Sequence, residues 1–254
     1  MIDTHVHYDH RRFDGDRAAL LDEIHMGVGV ELAVNPPITY ASNFTMRETL
    51  KDYPWIFYGL GVHPNHGEGL ERTCFAELAA LKDARTVAVG ETGLDYCRIR
   101  EPERRENQAH VFRQQIDLAK QLHLPLILHV RDAWEDALAI LRSMGSSFDG
   151  VLHCFAADAE TAKGYLDLGF RLGMGSAVTD PRKEATRQAA EDLPLDVMVL
   201  ETDCPFLPIP AGTKGRPSSA SLPAVADALA VLKGCTREEI TETTAKTARA
   251  LFRI

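Results

Sequence analysis

Eight short apolar runs recur along this chain, and segments with helical spacing separate them through most of its length. The runs read MIDTHVH, VELAVN, IFYGLGVH, TVAVGET, LPLILHV, GVLHCF, FRLGMGS and DVMVLETD. Between them, RAALLDEIHMG ends near Gly27, and RRENQAHVFRQQIDLAKQLH sets Phe112, Ile116 and Ala119 on one helical face. Strands rich in Val, Ile and Leu that alternate with helices are covered on both faces, which is the setting of a parallel sheet. Eight such repeats predict an α/β fold, a closed (β/α)8 TIM barrel of about 250 residues with parallel strands. TAKTARALF then supplies a C-terminal helix. One barrel accounts for residues 1–254 as a single unit.

The polar residues inside these apolar runs carry the chemistry. His5 and His7 end the first run, His63 the third, Glu91 the fourth, His129 the fifth, His153 the sixth and Asp203 the eighth. In a parallel barrel the carboxyl ends of the strands share one rim, so residues far apart in the chain converge there. In the opening MIDTHVHYDH, donor groups fall on every second residue, at Asp3, His5, His7 and Asp9. Strand alternation points His5 and His7 together into the barrel. Two inward imidazoles so close are costly neighbours unless they share a cation. Taken singly, each residue reads equally as a hydrogen-bonded rim histidine or a capping carboxylate; six of them on one rim do not.

Four imidazoles and two carboxylates suit Zn²⁺, Mn²⁺ or another borderline divalent ion, whereas Mg²⁺ prefers more oxygen donors. Six protein ligands exceed what one tetrahedral catalytic ion with an open position takes. They fit two ions that share a carboxylate, so a binuclear site is expected.

Composition narrows the partners. A formal charge of −9 argues against an extended basic surface for nucleic acid, so local cations or bound metal would have to hold a polyanionic substrate. The five cysteines are odd in number and lack a CxxC pair, which argues against a disulfide framework and a structural zinc knot. The apolar start is too short for a signal peptide, and no run of about 18 apolar residues could cross a membrane. A cytoplasmic monomer without an obligate protein partner is expected.

The segments DTHVH, GVHP, GETGLDY, LILHVR, HCF and ETDCP occur in the order seen in TatD-related metal-dependent deoxyribonucleases, which are amidohydrolase-like barrel hydrolases. The chain resembles that family from Ile2 to TAKTARALF. The resemblance implies that His5, His7, Glu91 and Asp203 hold one ion and Glu91, His129 and His153 the other, with Glu91 bridging. It also implies Mg²⁺ or Mn²⁺ as supporting ions, and a DNA substrate shortened from its 3′ end by a 3′–5′ exonuclease. Asp203 would accept a proton from the attacking water. At other matching positions, His63 would bond a phosphate oxygen or a leaving group, and Asp95 would orient a neighbouring histidine. Arg131, two residues past His129, would clamp a phosphate.

Several neighbours complete the expectation. Family members commonly carry Arg-Asn-Glu-Pro after the last strand, whereas this chain keeps Arg216, a further candidate for substrate binding, and continues with Pro217, Ser218 and Ser219. That change falls in a loop expected over the rim and bears on substrate identity more than on hydrolysis. PFLPIPAGTKGRP predicts a lid. Glu201 is expected to be structural, and Cys154 and Cys204 to turn away from the site by alternation. Two other functions stay open: hydrolysis of a small amide, lactone or ester on the same metal site, and partner binding without catalysis. The complete ligand set argues against the last.

Overall fold

The computed structural model of the chain describes residues 1–97 and 99–254. Its strands are β1 (Ile2–Asp3), β2 (Leu32–Asn35), β3 (Ile56–Leu60), β4 (Thr86–Asp95), β5 (Leu126–Arg131), β6 (Gly150–His153), β7 (Phe170–Met174) and β8 (Met198–Leu200). Each pairs in parallel with the next in chain order. Around them lie α1 (Arg17–Asp22), α2 (Ser42–Thr49), α3 (Arg72–Ala80), α4 (Pro102–Leu122), α5 (Trp134–Met144), α6 (Ala159–Leu166), α7 (Glu184–Asp192) and α8 (Leu222–Lys233), followed by the C-terminal α9 (Arg237–Phe252). This is the (β/α)8 barrel that the eight apolar runs predict.

Two of the runs are shorter as strands than their sequence suggests. β1 stops at Asp3 and β8 at Leu200, because their later residues join the two strands by single bonds instead of a regular ladder. Thr4 N donates to Leu200 O, Asp203 N to His5 O and His7 N to Cys204 O, at 3.0, 2.9 and 2.9 Å. The seam that closes the barrel therefore runs through His5, His7 and Asp203. β3 likewise ends at Leu60, and His63 lies beyond it with its N–H on Ile38 O.

Alternation sorts the strand residues into two clusters. Ala33, Val89, Leu126, Leu128, Leu152 and Leu172 face the helices in the large outer core. Val34, Ala88, Ile127, Val151 and Val199 face inward, where α9 lays Ala248, Leu251 and Phe252 against them. His129 and His153 are two residues beyond Ile127 and Val151, so period-two alternation puts them on the same inward face, at the opposite end of the barrel. An apolar plug thus closes the amino-terminal mouth and leaves the carboxyl rim for polar groups.

The Gly-Glu-Thr-Gly pattern has a packing cause. Gly90 takes φ +154° and Gly93 φ +139°. A Cβ on Gly93 would lie 2.1 Å from His129 O, and one on Gly90 would lie 2.6 Å from Ile127 O. Only glycine lets β5 approach this closely. The register of β4 against β5 shifts between Val89 and Thr92, and such irregularities re-aim a side chain. Glu91 sits inside that shift.

Candidate metal centre

Glu91, 3% exposed, lies at the middle of the rim cluster. Its Oε2 is 3.4 Å from His5 Nε2 and 3.9 Å from His7 Nε2. Its Oε1 is 2.7 Å from His129 Nδ1, 3.8 Å from His63 Nε2 and 3.9 Å from His153 Nε2. Asp203 completes the ring, with Oδ1 3.4 Å from His7 Nε2 and Oδ2 3.8 Å from His153 Nε2. His5 Nε2 and His7 Nε2 face each other at 3.1 Å.

These spacings fit a divalent ion. Donors about 2.0–2.2 Å from one ion stand roughly 3–3.6 Å apart, and the inner contacts of this cluster fall in or near that interval. The ligand atoms of buried His5 and His7 and half-buried Asp203 converge as one set, and those of His5, Glu91 and His153, all buried, as a second. His129 departs from the sequence expectation, since its nitrogens converge with His63 and Asp95 instead of with His153. The cause is competition between carboxylates. Nδ1 faces Glu91, and Nε2 lies 3.2 Å from Asp95 Oδ2.

Outer contacts fix the rings. Pro36 O can only accept, so His7 Nδ1, 3.1 Å away, carries the proton and leaves the Nε2 lone pair to the cluster. His153 Nδ1 lies 3.1 Å from Glu201 Oε1, an ion-pair contact off the line of a good hydrogen bond, so Nδ1 and Glu201 Oε2 have no well-aligned partner. Glu201 also accepts the N–H of Cys154. Asn65 N–H donates to His63 Nδ1, which assigns the His63 proton to Nε2. Buried Gln115 on α4 bonds both backbone groups of Val62, and Gln108 accepts from Asp95 N, so one helix steadies the ends of β3 and β4.

The electrostatics follow from burial set against local charge. Burial pushes His5 down to about 4, helped by His153, and pushes His63 down to about 4. Burial also opposes a charge on His129, but its bonds to Asp95 and Glu91 prevail and raise it to about 9. Asp95 is held at about 2 against its own burial, chiefly by His129. The histidines likewise overcome burial and keep the Asp203 and Glu91 carboxyls below their ordinary range. Asp203 takes φ +56°, a left-handed conformation that costs a non-glycine residue on the order of 1–3 kcal/mol and is commonly retained at functional sites.

Other sequence-assigned residues fall elsewhere. Asp9 bonds Asn35, and Asp3 accepts from Thr202 and Ser219 behind the seam, so neither joins the cluster. Arg131 is exposed and lines a cleft of about 450 Å³ that opens beside His129, His153 and Asp203. Arg216 forms a two-pronged pair with Asp16 at 2.7 and 2.6 Å and covers the Phe13 ring, which turns its fork away from the cleft. Cys154 corrects the alternation argument. β6 ends at His153, Cys154 takes φ +47°, and its thiol lies with His153 and Glu201 and lines the cleft.

Three cleft or rim residues were not singled out from sequence. Trp134 and Lys183 line the cleft. Phe206, 42% exposed, sets its ring edge-on to His7 and His10 at 5.2 and 5.3 Å. Phe206 follows ETDCP directly, and that adjacency was the one available signal.

Known proteins bear on this geometry. A family model described as TatD related DNase matches residues 2–253. YabD of Bacillus subtilis, described as an uncharacterized metal-dependent hydrolase, is 34% identical over 100% of this chain and 99% of its own length. YcfH of Escherichia coli, described in the same words, is 35% identical over 100% of this chain and 96% of its own. The crystal structure of YjjV, a TatD homolog from Escherichia coli, matches with a TM-score of 0.88 at 30% identity, covering 100% of this chain and 98% of that one. With the rim histidines and carboxylates arranged as above, these full-length matches lead to one conclusion: the chain belongs to the TatD-related DNase family.

Proposed function

We propose that this chain is a divalent-metal-dependent phosphodiesterase that hydrolyses DNA, working inward from the 3′ end. The observation that carries the reading is the division of Glu91, one oxygen toward His5 and His7 and the other toward His129, His63 and His153. A carboxylate so divided suits a bridge between two ions. In this reading His5, His7, Glu91 and Asp203 would hold one ion, and Glu91, His129 and His153 the other, with Mg²⁺, Mn²⁺ or Zn²⁺ as the ions. For the second set His129 releases Asp95 or Glu91 with one nitrogen. Bound divalent ions would make water more acidic and offset the negative charge that builds on a phosphoryl group under attack.

The chain's own groups supply the remaining steps. Asp203, ionised, takes the proton of the attacking water at a carboxylate oxygen. His63, neutral with its proton on Nε2, gives a hydrogen bond from that N–H to a phosphate oxygen or the leaving-group oxygen. Arg131 holds a phosphate with its planar fork. Arg216, paired with Asp16, is a further candidate contact for the substrate in this reading. Residues 1–254 act as one catalytic unit, a cytoplasmic monomer; no helix among the described residues is long and apolar enough to cross a membrane.

A second reading keeps the metal site and changes the substrate to a small amide, lactone or ester. The charge of −9 and the modest cleft favour it. One screen separates the two. The metal-loaded protein is offered labelled single-stranded DNA with free or blocked 3′ ends, duplex DNA, RNA and a panel of small amides and lactones, with elemental analysis before and after chelation. Close to two ions per chain, loss of activity on chelation, and cutting of free ends alone are expected. Rapid cutting of the blocked strand would remove the exonuclease form. Turnover of an amide or lactone with all nucleic acids intact would give the site to the second reading, and full activity after exhaustive metal removal would end both.

A further inference from the structure

The cleft beside the cluster is more than its entrance. It is lined by His129, His153 and Asp203 of the cluster and also by Arg131, Trp134 and Lys183. Lys183 stands at the start of α7, at the end of a turn built on Asp180. Asp180 is 7% exposed, accepts the Arg182 backbone N–H, and is paired with the Arg182 guanidinium at 2.9 Å through each oxygen. That turn engages Arg182 and leaves Lys183 to the cleft. Neither the Lys183 nor the Arg131 side chain makes a hydrogen bond or ion pair among the described residues. Asp132 also lines the cleft, but the Asp180 carboxylate is answered by Arg182. Arg131 and Lys183 therefore line the cleft together with Asp132 and with Asp180, whose carboxylate is bonded by Arg182 and also feels the charge of Lys183, in a chain that is acidic as a whole.

Size and lining narrow the ligand. About 450 Å³ lies at the lower end of the roughly 300–1,000 Å³ of small-molecule sites, which is room for one nucleotide and not for a strand. The indole of Trp134 and the ring of Phe155 give the cleft an apolar wall, and the two cations give it an anion anchor. A flat apolar body carrying a phosphate is the chemistry that fits both.

We infer that this cleft is a subsite for a second phosphate of the substrate, one nucleotide away from the bond that is cut, with Lys183 and Arg131 as its anchors. The inference rests on the phosphodiesterase reading and deepens it. It makes discrimination depend on what flanks the scissile group, since a phosphodiester with no second phosphate leaves both cations unpaired. Lys183 comes from the loop after β7, a strand that contributes no residue to the metal cluster. One of the two anchors would then come from a strand that takes no part in hydrolysis, and the other from β5, which carries His129 as well, as the barrel rim allows.

The test compares thymidylyl-thymidine with the same dinucleotide phosphorylated at its 5′ or its 3′ end. Each is given to the metal-loaded parent, to Lys183→Ala, and to Lys246→Ala, which removes an exposed charge on α9 at the other end of the barrel. The parent is expected to show at least a tenfold higher kcat/KM on one of the phosphorylated forms. That advantage should shrink to about twofold in Lys183→Ala and persist in Lys246→Ala, because a charge-assisted hydrogen bond carries a factor of this size. An equal advantage in Lys183→Ala would overturn the subsite while leaving the phosphodiesterase standing. If no dinucleotide is cut, the strand screen decides the phosphodiesterase reading, and calorimetric binding of the same compounds decides the subsite. Tighter binding of a phosphorylated form that depends on Lys183 would keep it, and equal binding of all three would end it.

Discussion

The two sides of the metal cluster are built differently. At the β8–β1 seam, His5 and His7 are 0% and 1% exposed and are backed by a buried polar layer. Asp3 there accepts from Thr202 N, Thr202 Oγ1 and Ser219 Oγ, Tyr8 meets Ser219, and Pro36 O fixes the His7 ring. On the β4–β5 side, the His129 side chain is 18% exposed, lines the open cleft, and bonds two carboxylates with its two nitrogens. One side is held ready for an ion by groups that cannot move without loss. The other must exchange a carboxylate for an ion. The contrast predicts a tightly held first ion and a second that comes and goes with the substrate.

The largest effect would come from attacking the two sides separately. His5 belongs to the ligand set of the tighter ion in the proposed assignment, so His5→Ala should lose that ion and retain at most the weakly held second. His129→Ala should leave about one ion per chain. Both losses should exceed the roughly 10–100-fold that follows removal of an outer partner of a metal ligand. Elemental analysis after gel filtration, with hydrolysis rates alongside, measures the difference. Equal metal retention in the two variants would break the comparison.

A second contrast concerns stability. Asp3→Ala leaves the Thr202 N–H, the Thr202 hydroxyl and the Ser219 hydroxyl without their acceptor, in a place water does not reach. Ser219 can turn its hydroxyl to Tyr8, which leaves two stranded groups at about 1–3 kcal/mol each, so a loss of roughly 2–6 kcal/mol is expected. Asp95→Ala, at the cleft, should lose less. Urea unfolding of the metal-free proteins reads this directly, and coincident midpoints would show that the seam is no more rigid than the cleft side.

What could be read from the chain, and what could not, follows the same division. The barrel and its rim residues were legible because both rest on local pattern: alternation along each run, and a donor at its carboxyl end. Ile127 with His129 and Val151 with His153 show the rule working. The rule stopped where the strands stopped. Cys154, one residue past β6, takes a left-handed φ, and its thiol returns to the cleft against the alternation. Lys183 left no trace in the sequence, because the seventh run ends without a donor and the loop that carries Lys183 is set by a turn on Asp180. The pairing of Arg216 was hidden for a different reason, since its partner Asp16 lies 200 positions away. Ser219, part of the departure from the family's usual segment and expected in a loop over the rim, proved to be a buried partner of Asp3 behind it.

Cys154 gives the next smaller effect. Because its thiol shares the cleft wall beside His153, bulk there should matter more than polarity. Cys154→Ser should keep the rate within about tenfold, and Cys154→Leu should lower it by more than about tenfold, a difference of little over 1 kcal/mol in barrier. Metal content should be the same in both. Equal rates for the serine and leucine variants would mean that substrate does not pass this wall, and the cleft side would lose its role in binding.

The smallest expected effect is the most specific to the open side. A chain of charge −9 has no extended basic track, so a DNA strand would be gripped at few points and the metal ions would do the rest. For single strands the slope of log affinity against log salt is about −0.7 per phosphate contact, so two or three contacts give a slope near −1.4 to −2. Arg131 is one of those contacts in the proposed reading, and its fork touches phosphate and not the ions. Arg131→Ala should therefore flatten the slope by about 0.7 while metal content stays as in the parent. His129→Ala, two residues away on β5, should do the reverse, lowering metal content with little change in the slope that remains. Binding of an end-labelled single strand over a salt series, with elemental analysis of the same samples, measures both quantities at once. A parent slope steeper than about five contacts would mean a grip along the strand that this surface does not offer, and an unchanged slope in Arg131→Ala would move the phosphate contact off β5.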